Sequence, residues 1–308
     1  MKKTFFWFYG LIESYIFILI IAFALGLLFS DQLRVFSDSI HLFLGIIFFL
    51  SALKIDLRDV GKNLVDLPLL VFANILMLII FPVVVYFLCT LIIPSLAIPF
   101  MILAAMPCGM TSPLFVEMCD GKPSLALMFT ITTSLLAPFT VPFVIKLMAS
   151  AQVSVEFLPM FFSLMKVIFI PFLLAEVVKR AFSEKIRATA YTFKPISLLL
   201  LCLIIVGIVA KQADTLKEIV SISSVLTLIS LYLLFFLFHI VGYFIFFWRK
   251  REERLSIMIC MTYMNFTLAI YLAGTFFNDP HIVIPIVLAV LPWSTLIAVL
   301  QYGLSRVK

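Results

Sequence analysis

Pro107-Cys108-Gly109-Met110-Thr111-Ser112-Pro113 interrupts one apolar stretch, and Cys260-Met261-Thr262-Tyr263-Met264-Asn265-Phe266-Thr267 sits inside another. Hydroxyls, an amide and freed backbone carbonyls at such points suit the binding of a cation or a small anionic group. Pro107 and Pro113 each remove a backbone donor and disfavour helix in the residue before them. Gly109 permits bending and close approach. In hydrocarbon an unpaired backbone group costs several kcal/mol, so a broken helix persists only where protein or a cavity covers it. Asn265 offers both a donor and an acceptor. It is expensive to place against lipid and is expected to face the interior.

Other candidates surround these two breaks. Thr130, Thr133 and Ser134 follow the spacing i, i+3, i+4 and share one face of a helix, with Thr132 beside them. That face is expected to complete a cation site with the first break, through Ser112 and Thr111; Thr267 is placed to assist Asn265. Such hydroxyls also bond back to their own helix. Lys166 lies about ten residues into an apolar span. It either meets a substrate carboxylate or snorkels to the interface. His239 is expected as a hydrogen-bonded packing residue, and Glu176 near water. Cys108 and Cys260, one per break, are soft ligands in principle and small buried spacers on the plainer reading. Paired carboxylates at mid-span, an HExxH sequence and an aspartate-rich diphosphate motif are all missing, so the chain reads as a non-enzyme without an organic cofactor.

The elements that must position these residues are membrane helices. Hydrophobic residues make up 64% of 308 and charged residues 12%, against roughly 25% charge in a soluble domain. With a mean hydropathy of +1.24, the chain is a polytopic, all-α membrane protein whose partner is the lipid bilayer. A crossing helix needs about 20 residues. Ten are expected, over 11–30, 37–54, 68–92, 97–118, 124–148, 157–178, 195–212, 220–248, 254–275 and 281–305, with 179–194 as the longest loop. Met1-Lys2-Lys3 and the apolar run behind it read as the start of the first helix, not a cleaved leader. The five cysteines form no CxxC pair, and a disulfide framework is not expected.

Charge sets the expected sidedness. Lys2, Lys3, Lys54, Arg58, Lys62, Lys122, Lys179, Arg180, Lys185, Arg187, Lys194, Arg249, Lys250, Arg251, Arg254, Arg306 and Lys308 fall on one side, which makes 17 of the 22 basic residues. Arg34, Lys146, Lys211 and Lys217 make 4 on the other. The positive-inside rule then places both termini in the cytoplasm. The net charge of +6 is thereby explained by topology and calls for no nucleic-acid partner; nothing indicates an obligate protein partner. Ten spans divide into two halves of five that start from opposite sides. The result is an inverted repeat, with the interrupted spans 97–118 and 254–275 fourth in each half.

At these residues the chain resembles the bile acid:sodium symporter family. Pro107 to Pro113 carries the first part of the resemblance, continued by Gly121, Thr130, Leu135, Pro138 and Pro142. Asn265-Phe266-Thr267-Leu268-Ala269 carries the second. Leu42-Phe43-Leu44-Gly45 with Leu53 and Leu57, and prolines at Pro82 and Pro171, extend it in span order over nearly the whole chain. The resemblance implies a panel domain from helices at 11–54 and 157–212. It also implies a core domain from helices at 68–148 and 220–305, with helices 4 and 9 crossing at its centre. It implies sodium-coupled movement of organic anions, with Ser112, Thr130, Thr133, Ser134 and Asn265 as sodium ligands and Asn74 nearby. The family's pattern is altered at Met77, Pro113, Cys260 and Met264, and the glutamate replaced by Cys260 is the most important loss. The related arsenical-resistance exporters share Pro107-Cys108 and Asn265-Phe266, but have glutamate where Thr267 stands.

The expectation is an inner or plasma membrane carrier, of bacterial or organellar type, for small or medium organic anions. It works by alternating access with a sodium ion as the coupling species. A sodium-independent or proton-linked carrier, a metalloid exporter, and a receptor or scaffold that keeps the fold without cycling are the alternatives.

Overall fold

The computed structural model describes residues 15–54, 66–149, 156–211, 213, 222–277 and 279–306. The first residues of the span 11–30, the basic residues Lys2, Lys3, Arg58, Lys62, Lys217 and Lys308, and Leu57 lie outside them. The described chain is almost entirely helical. In order it forms α1 (Tyr15–Leu28), α2 (Ile40–Ala52), α3 (Leu67–Ile75), α4 (Phe81–Ile92), α5 (Ala97–Ala105), α6 (Ser112–Met118) and α7 (Pro123–Ala149). Then follow α8 (Phe157–Thr189), α9 (Phe193–Lys211), α10 (Ile222–Phe244), α11 (Arg251–Thr262), α12 (Phe266–Leu272), α13 (Pro280–Leu288) and α14 (Val290–Arg306). Among the described residues six helical segments are long and apolar enough to cross a membrane: Ser30–Ala52, Leu67–Ile92, Pro123–Ala149, Phe157–Lys211, Val225–Phe244 and Pro280–Gln301. Pro94–Ala105 and Phe266–Phe277 are shorter apolar helices.

The chain divides into two compact units, Met1–Ile55 with Met165–Ser221, and Asp56–Leu164 with Ile222–Lys308. In the first unit α9 packs along α1 and α2. Leu50, Ala52, Leu53, Ala175 and Phe193 form a buried cluster, with Phe172, Val178, Ile186 and Ala190 packed on it. Those last residues correct one expectation. The stretch 179–194 is not a loop: α8 continues to Thr189, bent at Phe182 (φ −135°, ψ 33°), and a 3-10 turn follows at Ala190–Thr192. Its charges lie on the exposed side of a bent helix whose Val178 and Ile186 pack on the buried cluster, while Phe182 at the bend is exposed. Glu176 pairs with Lys179 one turn along.

The second unit holds both interrupted stretches. Its central helix is α7. The residues Leu125, Ala126, Phe129, Thr130, Thr133, Ser134, Ala137, Val141, Val144 and Ile145 are buried in a stripe of helical period. Pro138 and Pro142 sit within this helix without ending it. A π-helical turn, Leu76–Ile80, joins α3 to α4, and a second, Ala273–Phe277, extends α12. Such turns widen the backbone spiral locally and have no sequence signature as plain as proline. Aromatic rings fill the interior near α11. Phe115 meets Tyr263 and Trp293 edge to face at 5.4 and 5.6 Å, and Phe81 meets Phe238 at 4.8 Å.

Candidate functional site

Both interrupted spans are broken, and the breaks meet. The first leaves helix at Met106, whose backbone is extended (φ −70°, ψ 143°), and resumes at Ser112. The second leaves helix at Tyr263 (φ −98°, ψ 62°) and resumes at Phe266. Between them Cys108 and Met264 form an isolated antiparallel bridge. The Gly109 N–H donates to the Tyr263 carbonyl at 3.0 Å, and the Asn265 N–H donates to the Pro107 carbonyl at 2.7 Å. Backbone groups that each helix loses at its break are therefore satisfied by the other, which is the condition for irregular backbone at membrane depth. A Cβ at position 109 would lie 2.5 Å from the Tyr263 oxygen and 3.0 Å from that of Met264, so only glycine fits.

The hydroxyls converge on this junction. Ser112 Oγ donates to the Tyr263 carbonyl at 2.9 Å. Thr130 Oγ1 donates to the Ala126 carbonyl at 2.9 Å and reaches the Gly109 carbonyl at 3.4 Å and the Cys108 sulfur at 3.3 Å. Thr133 donates to the Phe129 carbonyl and accepts from the Cys108 N–H at 3.0 Å. Back-bonding to a helix carbonyl uses the hydroxyl hydrogen and leaves oxygen lone pairs for another partner. Asn265 caps α12, its Oδ1 accepting from the Leu268 N–H at 3.1 Å. Ser112, Thr130, Thr133, Ser134 and Asn265 are all buried.

Two buried hydroxyls, Ser134 Oγ and Thr262 Oγ1, have no hydrogen-bond partner among the described residues. An orphaned buried polar group costs about 1–3 kcal/mol. Among the described residues the buried polar set consists of Asn74, Ser112, Thr130, Thr133, Ser134, Ser256, Thr262 and Asn265, with no carboxylate and no ammonium. What the junction offers an ion is neutral oxygen.

Not every expected residue joins this group. Asn74 faces Thr132, its Nδ2 lying 3.1 Å from Thr132 Oγ1 and 2.8 Å from the Leu70 carbonyl. Through Thr132 it braces the helix that carries Thr130 and Thr133. Thr111 and Thr267 are only half-buried, and Thr111 makes no capping bond at the start of α6. Pro113 lies in the first turn of α6, where its missing N–H costs nothing. Lys166 belongs to the other unit. It is exposed, because the buried stripe of α8 runs through Met160, Leu164, Val167, Ile168, Pro171 and Ala175 and passes it by.

Three features escaped the sequence reading. The Tyr263 carbonyl is the shared acceptor of the junction, a role that any residue type could fill. The Tyr263 hydroxyl and the His239 Nε2 are 3.0 Å apart, and His239 Nδ1 is 2.7 Å from the Phe235 carbonyl. His239 is thus a bonded packing residue, as its place in an apolar span suggested. At one end of the unit Arg249 bridges Asp66 and Glu253, each at 2.8 Å, and Glu253 reaches Lys122 at 3.7 Å. The hydrogen bond that Arg249 donates to Glu253, more than the charge of Glu253 or Asp66, holds the Arg249 guanidinium above its ordinary pKa.

Comparison with known proteins places this geometry in context. The profile of the SBF-like CPA transporter family matches residues 13–304. An uncharacterized sodium-dependent transporter, YocS, of Bacillus subtilis (strain 168) is 26% identical over 203 residues, 65% of this chain and 63% of the relative. The match thus spans less than two thirds of that relative's length.

Proposed function

The chain belongs to the SBF-like CPA transporter family, and from that premise we propose that it is a secondary carrier for small or medium organic anions, coupled to sodium. The protein is an integral, multi-pass membrane transporter. The single observation that carries the finer reading is the paired break. Two helices are opened at the same place, stitched together through Cys108 and Met264, and ringed by buried neutral oxygens. Paired broken helices of this kind mark the binding sites of secondary transporters. Sodium is a hard cation that hydroxyl and carbonyl oxygens satisfy. Ser112, Thr130, Thr133, Ser134 and Asn265 are the proposed ligands, with Thr262 added for its orphaned hydroxyl. The relative described as a sodium-dependent transporter supports the same ion.

In this reading the whole chain has ten spans in two inverted repeats, with both termini cytoplasmic. The unit containing the junction is the moving core, and the other is the panel. Alternating access follows from displacement of the core with its ion and substrate. One observation favours a second reading, in which transport is independent of sodium. No carboxylate is buried near the junction among the described residues, so the local negative charge that would strengthen cation binding is lacking.

Counterflow in proteoliposomes tests the carrier itself. Vesicles preloaded with an unlabelled organic anion are expected to accumulate the labelled anion transiently and saturably. Ligand binding without flux across a broad panel of anions would instead identify a receptor that keeps the fold.

A further inference from the structure

The end of the first unit where α2 finishes and α8 turns into α9 carries positive charge that no step above uses. The buried cluster of Leu50, Leu53, Ala175 and Phe193 fastens the last turns of α8 there through Val178, Ile186 and Ala190. Arg180, Lys185 and Arg187 stand exposed on those turns, and Lys54 and Lys194 are exposed at the neighbouring ends of α2 and α9. Lys54 Nζ lies 5.9 Å over the Phe193 ring, which places it at the same cluster. Arg180, Lys185 and Arg187 form no ion pair among the described residues. Glu176 is taken up by Lys179, so at this end Glu184 is the one exposed acid among the described residues. The opposite end of the same unit carries Asp31, Asp38, Arg34 and Lys211, whose charges cancel.

We propose that this basic end of the unit is a docking surface for the headgroups of anionic phospholipids. Its place along α8 is the first reason. Leu173, Leu174 and Val177 are exposed apolar residues on the last turns of the apolar span, and Phe182 and Tyr191 are exposed rings just beyond it. The helix bends at Phe182, in the interval where charge begins. Aromatic rings collect at headgroup level, and long basic side chains reach from apolar surface to the phosphates. Lys185 Nζ lies 5.8 Å over the Phe182 ring, so cation and ring share one place. Charge complementarity is the second reason. A zwitterionic headgroup brings its own cation and gains little from a basic excess, whereas an anionic one offsets it. A free anion in solution has no use for the exposed Val177, Phe182 and Tyr191, while a leaflet covers them and presents many phosphates at once.

The test reads lipid contact directly, with the full chain in liposomes of mixed phosphatidylglycerol and phosphatidylcholine. Tyr191 is replaced by the photocrosslinker p-benzoylphenylalanine, and in a second protein Val35, exposed at the opposite end of the unit, is replaced instead. Mass spectrometry identifies the headgroup of each lipid adduct. Adducts at 191 are expected to be several-fold richer in phosphatidylglycerol than the membrane, and adducts at 35 to match the membrane's composition. Combined Arg180→Gln, Lys185→Gln and Arg187→Gln should abolish the enrichment at 191. So should salt at about 1 M, where screening acts within roughly 3 Å, and this arm decides the matter even if the triple variant fails to insert. Inorganic phosphate is expected to reduce the enrichment no further than sodium chloride of equal ionic strength. The surface would be overturned by an absence of phospholipid adducts at 191, by adducts there that match the membrane's composition, or by equal enrichment at 35. An enrichment that survives high salt, or specific competition by phosphate, would do the same. None of these readouts depends on transport, so the surface stands or falls apart from the carrier reading.

Discussion

Gly109 and Tyr263 meet backbone to backbone, with the glycine N–H 3.0 Å from the tyrosine carbonyl and no room for a Cβ between them. The same carbonyl accepts from Ser112 Oγ. One oxygen thus holds the turn of the first break, the start of α6 and the end of α11 in a single arrangement. Gly109→Ala forces these segments apart. We expect a loss of about 1–3 kcal/mol, typical of overpacking, together with loss of transport. Thermal unfolding in detergent, paired with uptake, measures both; an unchanged midpoint with full activity would mean that the close approach does not occur.

Asn265 combines two roles that substitutions can separate. Asn265→Ala removes the cap on α12, at about 1 kcal/mol, and an oxygen proposed for sodium. Asn265→Asp keeps the capping oxygen and brings negative charge to a junction that has no buried carboxylate among the described residues. The Ala variant is expected to weaken apparent sodium affinity and the Asp variant to retain or raise it. Sodium titrations of transport compare the two, and equal losses, with the capping oxygen kept in the Asp variant, would indicate that sodium affinity does not depend on an oxygen at position 265.

Ser134 and Thr262 give a prediction opposite in sign to most core substitutions. In a buffer with a bulky organic cation in place of sodium, Ser134→Ala removes an orphaned hydroxyl and should leave stability unchanged or slightly raised. Added sodium should stabilise the unmutated protein by mass action and the variant less. Melting curves with and without sodium show the difference; identical sodium shifts in both would remove Ser134 from the site.

The Asp66–Arg249–Glu253 bridge ties the start of α3 to the start of α11. Its members remain partly exposed, so the bridge is worth no more than about 1 kcal/mol. Arg249→Met is expected to lower the unfolding midpoint modestly, with the gap narrowing as salt rises. A gap that does not respond to salt would indicate packing of the arginine stem instead of charge.

What could be read from the chain follows from which residues leave a local mark. Pro107, Gly109 and Pro113 announce a break because two of them lack an N–H and the third lacks a Cβ. The second break has no proline, and only Asn265, a capping residue in an apolar run, gave it away. Legibility ended where tertiary contact decides. The Asn74–Thr132 pair joins residues 58 positions apart. The central role of Tyr263 rests on its carbonyl and so has no side-chain signature. The charges of 179–194 suggested a loop because a polar helical face and a polar loop share a composition, and only the packing of Val178, Ile186 and Ala190 on the buried cluster distinguishes them. Lys166 drew attention by its depth in an apolar span, yet its position off the buried stripe of α8 leaves it exposed.

The most direct measurement of the central claim is uptake of an organic anion into proteoliposomes under an imposed, inward sodium gradient. Replacement of sodium by a bulky organic cation is the comparison. The junction of neutral oxygens at Ser112, Thr130, Thr133, Ser134, Thr262 and Asn265 predicts concentrative uptake with sodium and its loss without it. Equal uptake in both conditions would contradict sodium coupling and assign the junction to substrate alone.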